Sequence, residues 1–245
     1  MKPIHALLAL LASLCLCGPS AAEPVPGDAA SVTIGAQPIA LPVLPGYAPP
    51  SATPQLLVDV TSRALPPTNR LLAVMLPTDF LDKVQGGDIK APLSRYMAVQ
   101  TFPAYEDSGM TPALFAQVKS VLRTQSAQMF EKAQGEIAAS TDRLSSEVGK
   151  VTGDSSTSIR TSDNSSLGIF DEQPDSISMA ALQTVSASSQ KGTTQIRQAM
   201  ALAAMRVHGK VLMASVYSNY ESQADIDWVE GQMRAWVKRL NELNP

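Results

Sequence analysis

The chain opens on a segment that reads as a cleavable secretory leader, and what its removal takes away limits how the rest can fold. Lys2 gives a positive start, Ala6 to Cys17 form an almost unbroken apolar run, and Ser20-Ala21-Ala22 supplies small residues for a signal peptidase. Cleavage is expected after Ala22, so that residues 1–22 are the leader and Cys15, Cys17 and His5 leave with it. A mature chain without thiols has no disulfide or cysteine-held metal to staple it and must be held by apolar burial alone. The leader's apolar run is too short to cross roughly 30 Å of hydrocarbon, and no later stretch reaches the roughly 20 apolar residues of a span. Leu14 and Leu16 stand before the cysteines, where a lipoprotein would need a small residue. The expectation is a soluble mature chain without a transmembrane span, placed in a bacterial periplasm by the leader and by the alanine, leucine and proline bias.

Charge excludes one class of partner. The whole chain carries a formal charge of −3 and has no basic run, so it lacks the electrostatic footprint of a nucleic-acid binder.

Between Glu23 and Pro54 the prolines at 24, 26, 38, 42, 45, 49, 50 and 54 forbid a helix, because each fixes φ and removes a donor. Residues 23–54 therefore read as an extended arm, in which Ser31 to Ile34 and Ile39 to Val43 make a hairpin around Gly35-Ala36 that joins the domain edge. Residues 55–245 read as a single domain. Gln55 to Arg63 forms a short helix stopped by Pro66-Pro67, and Arg70 to Leu76 is a buried strand by its length. Thr78 is expected to cap a helix through Val84, closed by Gly86-Gly87, before the alternating strand Arg95 to Phe102.

Thr111-Pro112 opens the longest helix. Its stripe Leu114, Phe115, Val118, Val121, Leu122, Met129, Phe130, Ala133 and Ile137 is expected to pack on a sheet, with a partner or membrane surface as the other use, and the helix is expected to fray after Gly135. From about 140 to 166 the composition turns to serine, threonine, aspartate and glycine, which reads as a mobile polar insertion or weakly formed hairpin. Leu167 to Phe170, Ser176 to Val185, Thr193 to Arg206 and Lys210 to Tyr217 supply the later strands, with a tight turn at Val207-His208-Gly209-Lys210. Ser222 and Asp225 make a capping-box start for a closing helix striped by Ile226, Val229, Met233, Trp236, Val237 and Leu240. Strands outnumber helices and most can be joined as hairpins, so the fold class is α+β, an antiparallel β-sheet packed by helices.

Candidate chemistry is sparse. His208, the one histidine of the mature chain, is expected at an exposed hairpin tip. Ser188-Ser189-Gln190-Lys191 matches S-x-x-K and Ser162-Asp163-Asn164 matches a second box of serine penicillin-binding enzymes, but the order is reversed and the third box is scrambled. Asp225, Asp227 and Glu230 gather at a helix start, where the dipole favours carboxylates for structural reasons. Nothing here points to a catalytic residue, a metal or a cofactor. Trp236 lies on the apolar stripe and reads as core, whereas Trp228 lies off it and, with Tyr220, is the candidate for surface recognition.

Gly209 to Tyr220, Ile226-Asp227-Trp228-Val229 and the helix that follows, with Asn69 to Val74 and Arg95 to Gln100, resemble an uncharacterised family of exported proteobacterial proteins. More distantly the order of elements resembles the PsbP-like fold, an α/β/α sandwich whose members include photosystem assembly subunits and bacterial envelope proteins. The resemblance implies a non-enzymatic accessory or binding protein of the cell envelope, with an envelope protein or component as partner. A periplasmic hydrolase using carboxylate or serine chemistry without histidine is the competing expectation.

Overall fold

The structure is a computed structural model that describes residues 29–88, 91–190 and 192–245, and the backbone alone of residues 125–133. The leader, Cys15 and Cys17, and Lys191 of the S-x-x-K match lie outside the described residues.

The fold is α+β. A six-stranded antiparallel sheet runs in the order β3-β4-β8-β7-β6-β5 and is covered on both faces. Its strands are β3 (Arg70–Met75), β4 (Arg95–Thr101), β5 (Ser158–Gln173), β6 (Ser176–Ser189), β7 (Gly192–Val207) and β8 (Lys210–Asn219). The four last strands form a meander of long hairpins, and β3 and β4 extend it through the pairing of β4 with β8. His208 and Gly209 both take positive φ, 48° and 73°, which gives the β7–β8 turn the twist of a tight antiparallel hairpin. One sheet face is closed by helix α4 (Gln223–Leu243) and by the hairpin β1 (Ala29–Ile34) and β2 (Gln37–Pro42). There Trp236, Met233, Leu240, Ile34, Ile39 and Leu41 meet Met97, Val99, Leu212 and Val216 in one buried cluster. The Trp236 indole Nε1 donates to the Pro42 carbonyl at 2.9 Å and ties the helix to the hairpin. Ser222 and Asp225 form the expected capping box at the start of α4.

The other face carries α1 (Gln55–Ala64), α2 (Thr78–Gln85) and the long α3 (Pro112–Thr152). Phe80, Leu81 and Val84 of α2 pack on Val74 and Leu76, with Leu56, Leu57 and Tyr96 beside them. α1 and α3 are clamped by Arg63 to Glu147 at 3.1 Å and by the Arg143 guanidinium donating to the Ala64 carbonyl at 3.2 Å. No described helix is long and apolar enough to cross a membrane.

Four expectations need correcting. The first hairpin does not lie at the domain edge; it forms its own two-stranded sheet, and Ile34, Ile39 and Leu41 are fully buried in the core cluster shared with α4 and the main sheet. Thr78 is not a cap. Pro77 takes that place and the Thr78 amide donates to Gly46 O at 2.9 Å, so the loop before it satisfies the orphan donor. The segment 140–166 is not an insertion, since α3 runs on to Thr152, stops at the left-handed Gly153, and leads into the sixteen-residue strand β5. What orders it is tertiary: the β5–β6 ladder and the Ser145 hydroxyl, which accepts from Ile159 N at 2.7 Å while donating to Thr141 O. Finally, the first turns of α3 do not bury the expected stripe. Phe115 and Lys119 are buried and Leu122 partly so, while Leu114, Val118 and Val121 lie 47%, 37% and 43% exposed. The inward face there is Phe115, Lys119 and Leu122, and the Lys119 ammonium donates to the Gln173 carbonyl at 2.6 Å and pairs with Glu172 at 3.1 Å.

Candidate functional site

A cleft of about 970 Å³ separates the second half of α3 from the sheet. Its floor comes from alternation along the strands. Residues of β4 that send Met97 and Val99 into the α4-side core send Tyr96 and Gln100 the other way, and the register sets Tyr96 opposite Tyr217. The two phenol rings stack at 4.4 Å between centroids and 14° between planes. Further across, Gln198 of β7 pairs with Gln183 of β6, whose Nε2 donates to Gln198 Oε1 at 3.0 Å. The Gln198 side chain is a polar neighbour of the Tyr96 hydroxyl and opposes the upward shift of its pKa. A polar line thus runs Tyr96, Gln198, Gln183 along the floor, with Gln100 held beside it by Asn69 Nδ2 at 3.1 Å.

The walls are aliphatic. Ile137, Leu144 and Val148 of α3 form the roof, Leu57 and Ala64 of α1 one side, and Ile159, Val185 and Ile196 the other. Leu57, Leu93, Ile137, Leu144, Val185 and Ile196 are each only partly buried although they border one space. That is apolar area left uncovered within the fold, in the arrangement of a preformed ligand site.

Burial foremost, and the neighbouring Tyr217 next, push the Tyr96 phenol well above the usual tyrosine range, and burial also raises Tyr217. Both stay neutral donors. The charged groups on the lining are Glu136, exposed on α3, and Asp154, which accepts from Ser156 N at 3.0 Å, Ser156 Oγ at 2.6 Å and Gln190 N at 3.4 Å. No lysine, arginine or histidine lines the cleft among the described residues.

The residues singled out in the sequence fall elsewhere. Tyr220 and Trp228 are partly buried against the α4-side core, with the Arg197 guanidinium 4.9 Å from the Tyr220 ring and that of Arg95 4.1 Å from Trp228. His208 sits at its hairpin tip, exposed, with its ring against Gln37 and the Pro245 carbonyl. Asp225 caps α4, Asp227 accepts from Gln223 and Glu230 pairs with Arg234, so these carboxylates are spent separately. Among the described residues no group of three or more His, Cys, Asp or Glu could hold a metal ion. Ser188 lines the cleft and shares a hydrogen bond with Thr193 at 2.9 Å. Sequence reasoning missed the cleft. The alternation at Tyr96, Gln100 and Tyr217 was visible, but which face α3 would leave uncovered was not.

No protein-family model matches the chain, and no curated protein sequence matches it. Among solved structures it is similar to the Ran-binding protein Mog1p of Saccharomyces cerevisiae, at 10% identity and a TM-score of 0.31, over 88% of this chain and 92% of that one. A likeness at that level carries no argument about fold or function.

Proposed function

We propose that this chain is a non-enzymatic accessory protein of the bacterial envelope, exported to the periplasm on residues 1–22, that binds an envelope component in the cleft between α3 and the sheet. The observation that supports it is the lining: large aliphatic side chains left half-covered around neutral amides and phenols, the composition of a site that holds a molecule. The location rests on Lys2, the apolar run Ala6 to Cys17 and Ser20-Ala21-Ala22.

Native mass spectrometry of the protein recovered from its own envelope fraction tests this. The expected result is a mature chain beginning at Glu23 that carries a bound molecule, and loss of that molecule in Leu144→Arg. A chain that keeps its leader in the cytosol contradicts the location. Turnover of an ester or amide substrate, lost in Ser188→Ala, contradicts the non-enzymatic reading.

A further inference from the structure

Resting on that cleft, we infer that its ligand is an uncharged amphiphile, an acyl chain or apolar ring joined to a head that bears an amide or hydroxyl. Three observations fix the class. The size, about 970 Å³, lies within the range of small-molecule sites, roughly 300–1,000 Å³, and the roof of α3 bounds it. The aliphatic walls at Leu57, Leu144, Val185 and Ile196 ask for an apolar body.

The head group follows from what the floor offers. Gln183 Nε2 donates to Gln198 Oε1 at 3.0 Å, and each primary amide carries a further N–H and a further oxygen lone pair beyond that bond, with the Tyr96 hydroxyl in the same line. The floor therefore presents neutral donors and acceptors together, which a single amide or hydroxyl satisfies and a hydrocarbon does not.

Charge removes the common alternatives. A fatty acid or phosphate brings an anion to a lining with no described cation, with Glu136 and Asp154 as its charged groups.

The test uses the mature protein and the neutral fluorophore N-phenylnaphthylamine at mildly alkaline pH, where laurate is ionised. One probe site per chain is expected, with monolaurin displacing the probe at about tenfold lower concentration than laurate, because an unpaired polar head or buried charge costs on the order of a decade in affinity. Gln198→Leu combined with Gln183→Leu should retain the probe and bring the two competitors together. Leu144→Arg should abolish probe binding while keeping the far-ultraviolet dichroism of the wild type. Laurate displacing the probe as well as monolaurin overturns the ligand class, as does a preference for monolaurin that survives both glutamine substitutions. If laurate wins while the protein from the envelope still carries a bound molecule, the cleft reading stands and the class falls; no bound molecule and no probe site sink both.

Discussion

At Gly35, between β1 and β2, the backbone takes φ of +58°, and a Cβ there would come within 2.4 Å of the Glu106 carbonyl oxygen. Both the conformation and the close approach require glycine. Gly35→Ala is expected to destabilise by about 1–3 kcal/mol in urea unfolding; an unchanged midpoint would mean the hairpin does not dock there. Glu172 makes a second residue-scale prediction. The Arg123 guanidinium foremost, with Lys119 behind it, holds its carboxyl down from 4.5 to about 2. A depressed pKa in the folded state stabilises above the unfolded value and loses that effect as pH falls through the folded one. The stability difference between wild type and Glu172→Gln should therefore level off above about pH 4.5 and shrink steadily as pH falls from there through about 2. A difference undiminished between pH 4.5 and pH 2 contradicts the pairing. Local signals of this size were legible in the sequence where they are local: Thr111 accepting from Leu114 N at 3.2 Å, the Ser222–Asp225 box, and the glycine turn after His208. Lys119, Arg123 and Glu172 were not, since a charge pair across two elements has no spacing to read.

Elements show where composition misleads. Serine, threonine and aspartate between 140 and 166 read as a mobile insertion or weakly formed hairpin because they bury little by themselves. A strand, however, draws its backbone bonds from a neighbour, and β6 supplies them from Ser176 to Ser188. Hydrogen exchange should find the β6-paired amides of β5 protected; rapid exchange through Ser158–Gln173 would restore the insertion reading. The helix stripe gives the complementary case, because its spacing is helical and yet Leu114, Val118 and Val121 stay exposed while Lys119 is buried. Phe115→Ala should cost about 3–5 kcal/mol, whereas Val118→Ser and Val121→Ser should each change stability by less than about 0.5 kcal/mol. The reverse order in thermal unfolding would place the exposed stripe inside. Periodicity locates a stripe to within one residue in three or four.

For the molecule as a whole, α4 and the first hairpin close one sheet face down to fully buried side chains, while α1, α2 and α3 close the other incompletely. The asymmetry has a cause in the chain. α4 is short enough to lie on β7 and β8, whereas α3 spans forty-one residues and is anchored near its ends, by Lys119 and Arg123 on Glu172 and by Glu147 on Arg63. Fold class was readable from strand count and hairpin signals, but the space beneath α3 depends on where that helix is tied, to β5 through Glu172 and to α1 through Arg63. Methyl-resolved NMR during titration of the mature protein with monolaurin tests this most directly. The cleft account expects shifts at Ile137, Leu144, Ile159, Val185 and Ile196 and quiet methyls at Leu114, Val118 and Val121. Shifts confined to that exposed stripe, or none anywhere, would contradict it.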